Sequence, residues 1–268
     1  VERQAEARKS GLLPWLRPGQ LPACPAVDLG LALGQGPEAG SETWDAFLAP
    51  EPSASLSGPS AALGAPLWVL WGDVPAPGTV PPVGLRRGGE RALFGLAAQA
   101  ELRGALRALC EVFPGPGEVL QRVHLHARQN EGPARPPLPA ALLLLRCDPR
   151  TGTLTFAGGG HEPLLLWRAR HGGTEVWTAA GPAPCGIEEP ALGERELPWE
   201  RGDVLVLLSA AAARAVPGGA SALSDWLGPL AVAEEGAPRL ARRLVEELTR
   251  AQEGRGADGV AVLAMRRV

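Results

Sequence analysis

Apolar and polar positions along the chain follow two periods. Val27–Leu33, Glu42–Leu48 and Leu67–Asp73 are short and largely apolar, and each predicts a strand. The third carries Val69, Leu70 and Trp71 and ends on an acid. The period then changes. Over Glu90–Val112, the residues Leu93, Leu96, Ala97, Leu102, Leu106 and Leu109 recur at helical spacing, and Pro114 and Pro116 stop the pattern. Gly117–Gln129 predicts a second helix, with Glu118 in its first turn. Ala140–Cys147 predicts a buried strand, Asp148 to Gly152 a hairpin turn, and Thr153–Ala157 the returning strand. Leu164–Arg168, Thr174–Thr178 and Val204–Ser209 predict further strands. Leu240, Leu244 and Leu248 make Ala237–Gln252 an amphipathic helix, and Gly259–Arg267 predicts a closing strand. Strands and helices arrive in blocks rather than in strict alternation. That order predicts an antiparallel α+β layered domain rather than a doubly wound parallel sheet.

Between these elements lie segments that resist regular structure. Residues 2–13 predict the end of a helix, and Pro14, Pro18, Pro22 and Pro25 forbid regular structure just after it. Pro50–Pro66 and Pro75–Gly89 are rich in Pro and Gly and predict irregular, exposed loops. Residues 1–26 therefore read as an N-terminal helix and Pro-rich entry segment, and residues 27–268 as the main domain. The first residue is Val1 rather than Met, which gives the expectation of a fragment of a longer chain.

Composition narrows the classes. With 268 residues, 45% hydrophobic and 21% charged, the chain has room for a real core. A formal net charge of -3 argues against a nucleic-acid groove, which needs clustered positive charge. No apolar run approaches the roughly 20 residues needed to cross a bilayer. No apolar signal segment opens the chain, and the expected location is cytoplasmic. Cys24, Cys110, Cys147 and Cys185 are widely spaced and form no CxxC pair, as expected of reduced, mostly buried thiols. The sequence also lacks a GxxxxGK[ST] phosphate loop and a GxSxG elbow.

What remains for chemistry is a set of acids at strand ends. Asp73 closes one strand, Asp258 stands just before the last, and Glu42 and Asp45 lie at the start of an early one. Hard divalent cations take carboxylate and carbonyl oxygens held near one point, so such acids are candidate ligands if they converge. Solvated turn residues give the same pattern. His124 and His126 form an HxH pair, but on a helix positions i and i+2 do not share a face. His161 follows a Gly run, where a catalytic base and a structural hydrogen-bonding role are both open. Arg86 and Arg87 fall in the loop after Asp73 and read as solvated.

The order of these segments resembles the SpoIIE/Rsb-type bacterial serine phosphatases of the PPM (protein phosphatase 2C-like) superfamily over about residues 5–268. The residues from Asp148 through Gly152 to His161, Pro163 and Leu166 resemble the family's DPRTGxLxYxNAGHPPxLL. Pro184–Ile187 is similar to its PLG(I/V) turn, and Gly202–Ser209 to its GDxLLLYT strand. Arg103–Arg107 and Pro116–Leu120 are similar to its two central helices, Asp258–Leu263 to its DDxTLLVL, and Ser10–Pro22 to its entry segment.

The resemblance implies the αββα sandwich of that superfamily. It also implies a metal-activated water that attacks phosphoserine phosphorus, with Mn²⁺ or Mg²⁺ as cofactor if the domain is active and none if it is not. Carried over residue by residue, it puts Glu42 where the family has the first Asp of GGDxxDxF. Asp73 falls on the bridging Asp of GDVSGHG, the Val74 main-chain carbonyl beside it, and Asp258 on the first Asp of DDxT. Four positions depart from the family. Pro75 and Pro77 interrupt GDVSGHG, Gly259 replaces the second Asp of DDxT, and Ala210 stands where YTDG carries a metal-ligating Asp. A methyl group cannot coordinate a cation. The implied function is a degenerate phosphatase that binds a phosphoprotein or anti-sigma-antagonist-like protein in signalling. An active phosphoserine phosphatase of a partner-switching pathway, and an unrelated α+β domain, are the alternatives.

Overall fold

A computed structural model describes residues 20–34, 42–49, 65–74, 89–129, 131, 140–160, 163–178, 192–216, 218–252 and 259–268. Among the described residues, ten strands form two five-stranded sheets in which every pairing is antiparallel. The first sheet runs β1 (Val27–Leu33), β10 (Ala261–Arg267), β9 (Val204–Leu208), β6 (Leu164–Trp167), β7 (Thr174–Trp177). The second runs β2 (Glu42–Leu48), β3 (Leu67–Asp73), β4 (Ala141–Asp148), β5 (Thr153–Gly159), β8 (Arg195–Pro198). Helices α1 (Gly89–Cys110) and α2 (Pro116–Gln129) cover the second sheet, and α3 (Ala210–Ala215), α4 (Gly219–Ala233) and α5 (Ala237–Ala251) cover the first. The result is the αββα sandwich expected from the sequence.

Strand alternation explains the layering. Along β3, Leu67, Val69 and Trp71 enter the core between the sheets, while Trp68, Leu70 and, just beyond the strand, Val74 pack toward α1 and α2. Both faces of this strand are therefore buried, which is why it reads as a continuous apolar run. Each of the three core layers holds buried tryptophan. Trp68 lies in the α1–α2 layer, Trp71 and Trp199 between the sheets, and Trp167 in the layer of α3 to α5. Burying each large apolar side chain contributes roughly 1.5–3 kcal/mol relative to leaving it exposed.

The sandwich has two chemically different ends. At one, Asp148 receives a hydrogen bond from the Arg150 main-chain N–H (2.9 Å) in the β4–β5 turn. Gly152 closes that turn at φ +69°, and any side chain there would strike the Arg267 guanidinium. Arg267, from β10, donates to the carbonyls of Trp199 and Pro149 and so joins the two sheets. Asp203, buried ahead of β9, accepts from Arg168 Nη1 (3.0 Å) and from the N–H groups of Ala169 (2.9 Å) and Glu200 (3.0 Å). Arg168 also donates to Pro198 O of the other sheet and to both carboxylate oxygens of Glu175.

Three elements have no counterpart in the sequence expectations. The stretch from Ala210 onward, which continues the apolar pattern of β9, turns into α3. Residues 219–233 form α4 despite Pro229 within it. The polar segment Arg195–Pro198 pairs with β5 as the edge strand β8. Residues 1–19 and the loops expected at Pro50–Pro66 and Pro75–Gly89 lie largely outside the described residues, apart from Ala65, Pro66 and Gly89, the last of which opens α1.

Candidate functional site

At the other end of the sandwich, β3 finishes, β4 begins, β9 finishes and β10 begins. Asp73 is the last residue of β3, and its register partners are Glu42 on β2 and Ala141 on β4. It has the strand parity of Trp71, facing the space between the sheets. Gly72 precedes it because a side chain there would strike the Ala141 carbonyl of the neighbouring strand. Asp73 Oδ1 is buried and has no hydrogen-bond partner among the described residues. A buried carboxylate oxygen without a donor is costly in a finished structure, and a cation beside it offsets that cost. Val74, whose carbonyl is the expected second donor, follows directly and is buried.

The indole of Trp71, two residues before Asp73, reaches across the sandwich to Leu208, just ahead of the turn from β9 into α3. Ser209 caps α3, its hydroxyl accepting the Ala212 N–H at 3.2 Å. Ala210 opens the helix. Its methyl supplies no oxygen at the position where the sequence resemblance gives the expectation of an acid. The Ala211, Ala212, Ala213 and Ala215 side chains are buried as well. Gly259 and Val260 approach this turn ahead of β10, and both are buried. Asp258, Pro75 and Pro77 lie outside the described residues, as do His161, Arg86 and Arg87.

The buried Asp73 Oδ1 is an oxygen that a divalent cation would satisfy, Glu42 pairs with Asp73 in backbone register, and the Ala210 methyl offers no oxygen ligand. Among the described residues no group of three or more His, Cys, Asp or Glu side chains gathers around a point.

Two sequence candidates fall elsewhere. Asp45 shares its strand with Glu42 but faces α1, where Arg107 grips it through both carboxylate oxygens (2.6 and 2.7 Å). That contact holds the Arg107 guanidinium above its usual pKa, chiefly through the hydrogen bond to Asp45. On the same face Arg103 reaches Thr43 Oγ1 (3.4 Å). Asp45 thus docks α1 on β2 and is not part of the Asp73 rim. His124 and His126 are both on α2; His126 lies 3.5 Å from Glu101 of α1, and His124 is buried. Of the thiols, Cys110 and Cys147 are buried, and burial pushes Cys110 up to about 12.

The residue that sequence reasoning passed over is Trp71. Its indole N–H donates to the Leu208 carbonyl at 3.1 Å, crossing from β3 to the end of β9. Two apolar positions in two strands gave no sign of that bond. The Ser209 hydroxyl was more legible, as a Ser immediately before an Ala-rich run is a helix-start signal.

Comparison with known proteins agrees with this architecture. The RsbU and RsbW domains of a Mycobacterium tuberculosis protein superpose with a TM-score of 0.66 at 22% identity, over 94% of this chain and 63% of that one. The phosphatase domain of SpoIIE from Bacillus subtilis gives 0.60 at 15% identity, over 90% and 91%. RsbX in complex with magnesium gives 0.60 at 10% identity, over 93% and 99%. The chain thus spans under two thirds of the first of these. No curated protein sequence matches the chain. Residues 95–268 match the family described as Stage II sporulation protein E (SpoIIE), which contains most of both sheets and all five helices apart from the first turns of α1. The chain belongs to the SpoIIE family and shares the fold of the SpoIIE phosphatase domain.

Proposed function

We propose that the domain is a degenerate SpoIIE-type phosphatase that acts in signalling by binding a partner protein, a phosphoprotein or an anti-sigma-antagonist-like protein, in the cytoplasm. One observation carries the reading: Ala210 opens α3 at the position that the resemblance pairs with a metal-ligating acid, and α3 itself carries no carboxylate. The departures at Pro75, Pro77 and Gly259 support it. The architecture it shares with RsbU and SpoIIE domains fits a signalling role. Residues 1–26 serve as the entry segment and 27–268 as the phosphatase-like domain.

A second reading rests on a different observation. The donorless Asp73 Oδ1 favours a cation, and a bound Mn²⁺ or Mg²⁺ would supply an activated water for phosphoserine hydrolysis. In that case Asp73, the Val74 carbonyl, Glu42 and Asp258 hold the ion, and the buried Leu208 and Val260 flanking the rim help exclude bulk water.

Two measurements separate the readings. With Mn²⁺ present, the chain should hydrolyse a phosphoserine peptide far more slowly than about 1 s⁻¹, the lower range for enzymes. Calorimetric titration should show Ala210→Asp binding Mn²⁺ more tightly than the unmodified chain. Ordinary turnover by the unmodified chain overturns the degenerate reading in favour of the active one.

A further inference from the structure

Ser209 resolves a conflict at the rim. It is the register partner of Ala261, one step beyond the Leu208–Val262 pair. Its N–H donates to the Ala261 carbonyl (3.0 Å), as a ladder residue should. Its own carbonyl is taken by the Ala213 N–H (3.0 Å), which starts α3. The ladder would then leave the Ala261 N–H unpaired. The Ser209 hydroxyl fills the gap, accepting that N–H at 3.0 Å as well as the Ala212 N–H. One side chain therefore completes the last rung between β9 and β10 and caps the helix. One residue earlier, the Leu208 carbonyl receives the Trp71 indole from the opposite sheet. Trp71, Leu208, Ser209 and Ala261 are all buried, so water does not compete for these bonds. Gln252 adds a further tie, donating to the Ala211 carbonyl at 3.3 Å ahead of the segment that leads to Asp258.

We infer that Trp71 and Ser209 are positioning residues that fix Asp73 against the β9–α3 turn and the start of β10 without help from an ion. The inference rests on the reading of this rim as the phosphatase-type cation site, but its mechanics need no ion. Trp71 stands two residues before Asp73 on the same face, and its acceptor lies two residues before Ala210. The spacing of the two sides of the rim is thereby set by an indole and a hydroxyl. In a site with a full set of carboxylates, a shared cation would draw those same sides together. Here the rim is organised before any ion arrives, and a ligand acid restored at position 210 would meet a frame already in place.

Amide hydrogen exchange on the purified chain in EDTA tests this. The Ala212 and Ala261 amides should be protected without metal. Ser209→Ala should speed their exchange about tenfold, the worth of a buried hydrogen bond or two, and Ser209→Thr should restore protection. Trp71→Phe keeps the ring, removes the N–H and should speed exchange around Ser209 while leaving α1 and α2 unchanged. In an Ala210→Asp background, Trp71→Phe should also weaken Mn²⁺ binding several-fold by calorimetry. Protection that appears only after Mn²⁺ is added, or an unchanged pattern in both Trp71→Phe and Ser209→Ala, overturns the inference. If the exchange pattern is as expected and no variant binds Mn²⁺, the brace stands and the cation-site reading fails.

Discussion

At the Asp148 end of the sandwich, buried charge is answered by charge. Asp203 has an arginine and two main-chain N–H groups around it, and Arg168 and Arg267 reach across to the other sheet. At the Asp73 end, a carboxylate oxygen is buried with no donor among the described residues, an alanine methyl opens α3, and the indole of Trp71 reaches across to the other sheet. The first end is what a stable fold wants and the second is what a ligand site tolerates, because groups arranged for a ligand are poorly satisfied without it.

The largest effect should come from breaking the satisfied end. Asp203→Ala removes one partner of Arg168 and leaves the Ala169 and Glu200 N–H groups without their acceptor, and should cost about 2–4 kcal/mol in denaturant unfolding. A loss below about 1 kcal/mol would show that the network is not holding the sheets together. The matching change at the other end should have the opposite sign. Asp73→Asn, measured in EDTA, should leave stability unchanged or raise it by up to about 1 kcal/mol, because it removes a charge whose buried oxygen lacks a donor. Destabilisation of the size seen at Asp203 would mean that Asp73 is a structural acid and would remove the contrast.

The smallest effect is on pH. Arg168, with a further hydrogen bond from Trp177, holds Glu175 below its ordinary value of 4.5. A group whose folded pKa is depressed contributes stability above its unfolded pKa and loses it as pH falls through the folded one. Stability should therefore decline from about pH 4.5 downward, and Glu175→Gln should flatten part of that decline in thermal melts across pH. The carboxylate is about a third exposed, so the slope should be shallow. An identical pH profile in the variant would exclude Glu175 as a contributor.

Much of this fold was legible because its strands are buried on one or both faces. The patterns at Val27–Leu33, Glu42–Leu48 and Leu67–Asp73 give those strands with the same bounds. The misses have physical causes. After Leu208, alanines continue the apolar pattern, and the switch to helix depends on a single hydroxyl cap at Ser209. Helix α4 carries Gly219, Gly228 and Pro229, all of which argue against a helix in isolation, and it is held by packing on the first sheet. Strand β8 is short and mostly exposed, so it has no apolar face to announce it. The site was legible in part. The end position of Asp73 follows from the strand pattern, whereas the turning of Asp45 toward Arg107 depends on which face of β2 meets α1, a tertiary choice.

The distribution of tryptophan across the layers has an optical consequence. The chain has eight Trp and no Tyr, so its near-ultraviolet emission comes from indoles alone. Trp68 reports from the α1–α2 layer, Trp71 and Trp199 from between the sheets, and Trp167 from the layer beneath α4 and α5. Replacing these one at a time with Phe would dim one layer while the others still glow. The emission shift on unfolding would then show, layer by layer, whether the sandwich opens as a single unit or parts first at the seam crossed by the Trp71 indole.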